Sequence, residues 1–289
     1  MKVDVGDVRL HVEVAGLEWV PDGDTMCRRP TVVVLHGGPG SDCAGAKERF
    51  GFLSEIAQVV FYDHRGNGRS NDGDRARWTL AQWGDDVVAL CQALGIERPV
   101  VMGTSFGGFV AMSYATRQPE HPGALGLIVT AARKAPLDEI VEGFRRLGGD
   151  DVAELVRSDM QNSTPETSDR YLREALPLMS RHPNAAALVE RDLRRTVQKR
   201  DVEIHFSNGE INTLDFRADL TRITCPTLVL SGKLDPLCPP SCLDEIVEAL
   251  PDGLAEPHMI PGAGHLVFHD ARGECERILR DFVLRHSPV

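Results

Sequence analysis

A serine in a glycine-rich turn is the clearest candidate for chemistry in this sequence. Residues 103–108 read GTSFGG, which places Ser105 in the pattern G-x-S-x-G between an apolar run ending at Met102 and a helical run. The chain must turn sharply there, and the missing side chains at Gly103 and Gly107 leave the serine hydroxyl exposed. A turn without chemical consequence is the alternative, but the flanking strand and helix favour a nucleophile.

A serine nucleophile needs a base to take its proton, and the base needs an acid that orients it. Asp235 follows the apolar run at residues 227–230, and His265 follows the next predicted strand at residues 256–260. The chain order of Ser105, acid and histidine is the order that this kind of serine turn requires. We therefore predict a catalytic triad of these three residues at one edge of a sheet.

Other interpretations of these residues are open at this stage. His269 lies four residues after His265 and is a rival for the base, or else an exposed loop histidine. The spacing of the two histidines also suits metal ligation on a helix, but no H-E-x-x-H pattern is present and the preceding glycines predict a loop, so we predict no metal. Asp235 could be an ordinary turn residue before proline. Residues 130–133, after an earlier predicted strand, offer no acid in its place.

The oxyanion that forms during acyl transfer needs backbone donors. We predict that one donor is the amide of Phe106, directly after the nucleophile, and that the other is the amide of Gly38. Gly38 belongs to the segment HGGPG at residues 36–40. A phosphate-binding loop is the competing interpretation, but the Gly-Lys-Ser/Thr sequence is missing. No G-x-G-x-x-G follows a strand either, so we predict chemistry without a cofactor.

The elements that must position these residues alternate along the chain. A helix is predicted from a cap at Thr79 to a stop at Gly95, and residues 3–14 alternate around Gly6 as a hairpin does. Strand and helix in alternation predict an α/β fold with a mostly parallel sheet. Five short apolar runs predict its buried strands, at residues 31–35, 59–62, 100–102, 125–129 and 227–230.

Residues 133–215 interrupt this alternation. The segment is charged, it has no convincing buried strand, and the strand pattern resumes only at Thr227. We therefore predict one core, formed by residues 1–132 and 216–289, with a helical cap inserted over the carboxyl ends of its strands. Four helical stretches are predicted within the cap, at residues 137–147, 151–160, 168–179 and 185–199.

Composition excludes several classes of protein. The 289 residues include 43 acidic and 32 basic side chains, a net charge of −11, and no basic cluster, which argues against a nucleic-acid partner. No apolar run approaches the ~20 residues of a membrane span, and the first residues lack an apolar signal segment, so we expect a soluble, cytoplasmic protein. The 7 cysteines are scattered and odd in number, which predicts free thiols.

Taken together, these motifs resemble the α/β-hydrolase superfamily, and its prolyl aminopeptidase (proline iminopeptidase) branch most closely. The resemblance is carried by residues 36–40, the DHRGNGRS segment at 63–70, Ser105, Asp235 and His265. It implies the α/β-hydrolase fold, with a mostly parallel central sheet, helices on both faces and an inserted helical cap. It also implies a cofactor-free serine hydrolase acting on a small peptide or amide with an N-terminal proline-like residue. An esterase or lactonase for a small metabolite is the alternative, and a non-catalytic receptor is a third.

The resemblance also implies acidic residues that bind the substrate's amino terminus. Prolyl aminopeptidases are understood to grip this group with cap carboxylates, and residues 201–206 are loosely similar to the element that carries one. Glu203 is therefore a candidate for substrate binding, and Glu210 is nearby. An ammonium group that loses water needs such a carboxylate, although ordinary solvated acids are the alternative. The implied partner is a small molecule or short peptide, and the oligomeric state is left open.

Overall fold

A computed structural model describes residues 1–286 of the chain. Within these residues the strands are β1 (Lys2–Asp4), β2 (Arg9–Ala15), β3 (Trp19–Asp22), β4 (Thr25–Arg28), β5 (Thr31–Leu35), β6 (Gln58–Tyr62), β7 (Val100–Thr104), β8 (Ala124–Ile128), β9 (Thr227–Gly232) and β10 (Ala255–Ile260). The α-helices are α1 (Ala44–Phe50), α2 (Leu80–Leu94), α3 (Phe106–Arg117), α4 (Leu137–Gln161), α5 (Pro165–Arg170), α6 (Ala185–Arg195), α7 (Arg200–Asn208), α8 (Pro240–Ala249), α9 (Val267–Asp270) and α10 (Arg272–His286).

Eight of the strands form one sheet in the order β1-β2-β6-β5-β7-β8-β9-β10. The β1–β2 and β2–β6 pairs are antiparallel, and every pair from β6 to β10 is parallel. The mostly parallel sheet predicted from the apolar runs is confirmed. Because parallel strands end at a common edge, β5, β7, β9 and β10 deliver the residues that follow them to one side of the molecule.

Helices cover both faces of this sheet. Val33 packs in a cluster with Trp83 of α2 and Ile246 of α8, whereas its neighbour Val34 packs in a second cluster with Phe50 of α1 and Phe282 of α10. Successive strand residues point to opposite faces, so β5, which is covered on both faces, is apolar after its first residue, Thr31. Burying each such side chain contributes roughly 1.5–3 kcal/mol, which holds the layers together.

The helix predicted after Thr79 is confirmed at both ends. The Thr79 hydroxyl accepts a hydrogen bond from the backbone amide of Gln82 at 3.2 Å, as an N-cap residue does. At the other end, Gly95 adopts a left-handed conformation with φ of 67°, and the helix stops there. The prediction of this helix is accurate because the N-cap and the glycine stop each depend only on residues that are close in sequence.

Helices α4 to α7 lie between β8 and β9, in the segment predicted as a cap. The helical span Leu137–Gln161 is interrupted at Gly149, where φ is 80° and ψ is −172°, so two helices were correctly predicted there. Helix α7 was not predicted, because only Val202 and Phe206 of its side chains are buried. The hairpin of β3 and β4 was also missed, since its residues are almost all exposed and carry no apolar alternation.

The two ends of the inserted segment meet. Arg133 and Asp215 form an isolated antiparallel β-bridge, and the amide of Phe216 donates a hydrogen bond to the carbonyl of Ala132 at 2.8 Å. The chain therefore leaves the core and returns to it at one place. We propose residues 133–215 as the cap on this basis.

Two predictions about the chain's environment can be compared with the structure. None of the helices within residues 1–286 combines the length and the apolar character that a bilayer crossing demands. All seven cysteines are unpaired, as predicted, and all except Cys27 are buried. The cytoplasmic location stays a prediction.

Candidate active site

Ser105 occupies a strained turn between β7 and α3. Its φ of 53° and ψ of −117° are rarely adopted by a residue with a side chain. The turn is tight, because a Cβ atom at Gly103 or Gly107 would overlap backbone atoms of the facing segment. The Ser105 amide donates to the Ile128 carbonyl at 2.9 Å, and the Thr130 hydroxyl donates to the Ser105 carbonyl at 3.0 Å. These contacts hold the strained backbone in place.

Ser105, His265 and Asp235 form a continuous chain of hydrogen bonds. His265 Nε2 lies 3.1 Å from Ser105 Oγ, and His265 Nδ1 lies 2.7 Å from Asp235 Oδ2. The other carboxylate oxygen, Asp235 Oδ1, accepts the backbone amides of Leu237 and Cys238 at 2.8 and 2.9 Å. A carboxylate only accepts hydrogen bonds, so Nδ1 carries the imidazole proton and Nε2 is free to accept the serine proton. The structure thus brings together the three residues predicted from their chain order.

The two predicted oxyanion donors lie beside this chain. Gly38 follows β5 with φ of 66°, Phe106 begins α3, and both line the same cavity as Ser105. Neither amide donates a hydrogen bond to another residue in the part of the chain that the structure describes. Two unpaired amides next to a serine hydroxyl are the arrangement that an oxyanion requires.

A pair of buried histidines supports the Gly38 amide, and sequence reasoning missed it. The amide of His64 donates to His36 Nε2 at 3.2 Å, so the proton of this ring is on Nδ1, which donates to the Gly37 carbonyl at 3.0 Å. Burial lowers the pKa of His36 and keeps the ring neutral. The Gly37 carbonyl and the Gly38 amide belong to one planar peptide group. His36 therefore orients the predicted donor.

Residues 63–70 form the second support of the oxyanion loop. The Asp63 carboxylate accepts the amides of Cys43 at 2.8 Å and of Arg69 at 2.7 Å. Asn67 Oδ1 accepts the amide of Gly40 at 2.6 Å. The DHRGNGRS segment thus holds the oxyanion loop in place and supplies no reactive group.

Ser105 and His265 line a cavity of about 350 Å³ between the core and the proposed cap. A volume of this size suits a small molecule or a short peptide. Most of its walls are apolar, and the phenylalanine and tyrosine side chains among them are Phe106, Phe109, Tyr171, Phe206 and Phe268.

The two cap glutamates predicted from the resemblance have different surroundings. Glu203 lines the cavity, where its carboxylate pairs with the Arg200 guanidinium at 2.6 Å and accepts a hydrogen bond from the Ser168 hydroxyl. Glu210 is not part of the cavity wall. Its carboxylate accepts the amide of Leu80 at 2.7 Å and so caps the first turn of α2. Nearness to Glu203 in sequence was therefore misleading for Glu210.

His269 is not a rival for the base. It lies on the short helix α9, not in the predicted loop, and its Nε2 contacts Asp192 Oδ2 at 3.0 Å, while Ser105 Oγ is bonded to His265. The side chain is 9% exposed. His269 belongs to the cavity wall as a second, separate histidine–aspartate pair.

Two clusters in residues 1–286 bring potential metal ligands within 4.8 Å of one another. In both, burial raises the pKa of the cysteine, which disfavours the thiolate that a metal binds. In the first the glutamate also pairs with Lys47, and in the second the carboxylate is bonded to the imidazole. The clusters are His11, Glu13 and Cys43, and Asp235, Cys238 and His265.

The comparisons with known proteins agree on one family for this chain. Residues 30–271 match the alpha/beta hydrolase fold family. A protein named "Putative carbamate hydrolase RutD" from Caulobacter sp. (strain K31) is 31% identical over 264 residues, covering 87% of this chain and 90% of that protein. A proline iminopeptidase from Xylella fastidiosa (strain Temecula1) is 28% identical over 277 residues, covering 82% and 83%. The crystal structure of a proline iminopeptidase from Mycobacterium smegmatis superposes with a TM-score of 0.73 at 24% identity, covering 99% and 98%.

Proposed function

The chain belongs to the α/β-hydrolase family of enzymes, and from that premise we propose that it is a serine hydrolase that works through an acyl-enzyme. The observation that carries this proposal is the hydrogen-bond chain from Ser105 through His265 to Asp235, at 3.1 and 2.7 Å, beside two unpaired backbone amides. No other serine of the cavity wall has a hydrogen bond to a histidine within residues 1–286.

The proposed reaction has two halves that use the same groups. Ser105 Oγ attacks the acyl carbon while His265 Nε2 takes its proton, and Asp235 stabilises the imidazolium that forms. The amides of Gly38 and Phe106 bind the oxyanion. His265 then gives the proton to the leaving group, whose bond to the acyl carbon breaks. A water molecule, deprotonated by the same imidazole, releases the acid and restores the serine.

Covalent labelling tests the serine hydrolase proposal directly. A fluorophosphonate probe should label the enzyme on one site, and peptide mapping should locate it at Ser105, because only an activated serine attacks phosphorus rapidly. Turnover of p-nitrophenyl esters or proline arylamides should accompany the labelling. Labelled protein without turnover of any substrate would favour the receptor interpretation, and a label elsewhere would remove Ser105 from the proposal.

For the substrate, we propose first an aminopeptidase-like hydrolysis of a small amide or peptide with a free N-terminal proline-like residue. What supports it is the place of Glu203 in the cavity wall and the similarity to proteins named proline iminopeptidases. In this arrangement the substrate ammonium group would share the Glu203 carboxylate with Arg200.

Replacing Glu203 with glutamine tests the aminopeptidase specificity. The change keeps the size and removes the charge, so kcat/KM for a prolyl arylamide should fall roughly 30-fold or more, while hydrolysis of a neutral ester should hardly change. Asp169→Asn is a matched control, because it removes a carboxylate that pairs with the same Arg200 but lies outside the cavity. If the parent enzyme cleaves N-acetylated and free substrates equally well, no ammonium contact exists.

An ester or lactone substrate is the second candidate, and one observation favours it. The Glu203 carboxylate already has two partners, and every other carboxylate in the cavity wall also accepts hydrogen bonds from described residues. Asp42 binds Arg69, Asp159 binds Ser163 and Thr167, and Asp192 binds Arg191 and His269. An ammonium group would have to compete with these contacts, whereas a neutral acyl group would not.

A further inference from the structure

One end of the cavity wall is polar, and the proposed reaction does not use it. Arg49 comes from α1 of the core, Asp192 from α6 of the cap, and His269 from α9 after the triad histidine. Three elements that are far apart in sequence thus bring a guanidinium, a carboxylate and an imidazole to one place. We call these three residues the polar end of the cavity.

Arg49 is the charge in this cluster whose bonding is incomplete. Within residues 1–286 its guanidinium donates no hydrogen bond, and the nearest carboxylate oxygen, on Asp192, is 3.7 Å away. Burial lowers the pKa of Arg49, although a guanidinium remains charged in proteins. Leaving partly desolvated N–H donors without acceptors costs free energy, so a ligand that accepts hydrogen bonds from them gains binding free energy.

Asp192 does not satisfy Arg49, because other groups use its charge. Burial acts to raise the pKa of Asp192, but hydrogen bonds from His269 and Arg191 and the charge of Arg49 lower it to about 2. The carboxylate oxygens lie 2.7 Å from Arg191 and 3.0 Å from His269, both much closer than Arg49. The neighbouring Glu48 likewise pairs with Arg191 and Arg195. Arg49, Arg191 and Arg195 thus share only two carboxylates, those of Asp192 and Glu48. This charge cluster of five residues has a surplus of one positive charge.

His269 is a second polar side chain of this end of the cavity whose hydrogen bonding is incomplete among the described residues. Its side chain is 9% exposed, its Nε2 contacts Asp192, and its Nδ1 is a buried nitrogen without a hydrogen-bond partner among the described residues. Buried polar nitrogens are almost always bonded. His269 and Arg49 both line the same cavity as Ser105 and His265.

We propose that the polar end of the cavity receives a carboxylate carried by the substrate, with the Arg49 guanidinium as its partner. Guanidinium and carboxylate match in geometry and charge. Most of the remaining wall is apolar, so the substrate class is a small ester, lactone or amide that combines an apolar body with one free carboxylate. This inference rests on the proposed serine hydrolase function.

Matched pairs of esters test this proposal. Monomethyl succinate and methyl butyrate have acyl groups of similar size, and only the first carries a carboxylate on the acyl side. In the pair of 4-acetoxybenzoate and phenyl acetate the carboxylate is on the leaving group. The parent enzyme should hydrolyse the anionic member of at least one pair with a kcat/KM about 30-fold higher than its neutral partner, measured by alkali uptake.

Variants of the arginine attribute the preference to the polar end. Arg49→Gln should remove most of this preference while changing kcat/KM for the neutral esters by no more than about threefold, and Arg49→Lys, which keeps the charge, should retain part of it. Arg195→Gln is the matched control, since Arg195 belongs to the same charge cluster but lies outside the cavity wall. It should leave the preference unchanged. A preference that survives Arg49→Gln in a folded protein overturns the proposal.

A binding measurement separates this proposal from the proposed function. By calorimetry, 4-acetoxybenzoate or monomethyl succinate should bind the Ser105→Ala protein at least about tenfold more tightly than the double variant that also carries Arg49→Gln. If the parent turns over no ester and is not labelled, the hydrolase proposal fails, and this binding result still decides the carboxylate site. If the parent hydrolyses neutral esters but neither turnover nor binding distinguishes the anionic compounds, the carboxylate proposal is wrong and the hydrolase proposal stands.

Discussion

Ser105→Ala should lower kcat by roughly 10³-fold or more, because Oγ is the only group that bonds to the acyl carbon in the proposed intermediate. Folding should be unaffected. The Ser105 side chain makes one hydrogen bond in the described structure, to His265, and the strained backbone is held by main-chain contacts that alanine preserves. The measurement is kcat on a p-nitrophenyl ester together with the midpoint of thermal unfolding.

A second serine on the same helix gives the control for this change. Ser113 lies on α3, and its hydroxyl donates to the Leu80 carbonyl at 2.8 Å, outside the cavity wall. Ser113→Ala should therefore affect stability slightly and kcat hardly at all. Near-normal turnover by a folded Ser105→Ala protein would remove the nucleophile from the mechanism, and with it the triad.

Asp235→Asn should lower kcat by about 10³- to 10⁴-fold, the scale found when a triad acid becomes an amide. The reason is visible in the hydrogen bonds of Asp235. Its Oδ1 accepts two backbone amides, from Leu237 and Cys238, so the carbonyl oxygen of asparagine must take that position. The amide NH₂ then faces His265 Nδ1 and forces the proton onto Nε2. A histidine in this tautomer cannot accept the proton of Ser105.

The control for the acid must change charge without changing the tautomer. Asp244 is exposed on α8, outside the cavity wall, so Asp244→Asn removes one negative charge and should leave kcat unchanged. Crystallographic or NMR assignment of the His265 protons would check the tautomer itself. An Asp235→Asn enzyme within tenfold of the parent would show that another group orients the imidazole.

Local signals explain how much of the fold could be predicted from the sequence. The apolar runs predict the ends of the buried strands to within one or two residues. A strand that is covered on both faces has few polar positions, so its apolar run is nearly continuous. The turn at Ser105 and the loops at Asp235 and His265 follow strands, and parallel strands deliver such residues to one edge. Chain order and strand ends therefore suffice to bring three distant residues together.

Contacts between distant segments account for what the sequence could not predict. Glu210 was grouped with Glu203 because they are neighbours in sequence, yet the 3₁₀ turn that carries it directs its carboxylate to α2. Arg49, Asp192 and His269 carry no shared motif, and only packing of core against cap places them together. Such sites depend on tertiary structure, which periodicity and composition do not encode.

The bridge between Arg133 and Asp215 affects how the sheet closes during folding and how far the inserted segment can vary in length. Strands β8 and β9 pair in the sheet although residues 129–226 separate them, so the sheet can only complete itself by closing that long loop. The entropy of loop closure grows with the logarithm of length, and each doubling costs only about 0.6 kcal/mol. Because the bridge fixes both ends of the cap at one point, longer or shorter caps can be exchanged there at little cost to the sheet. We therefore propose that changes of the inserted segment alter the substrate range while Ser105, Asp235 and His265 keep their arrangement.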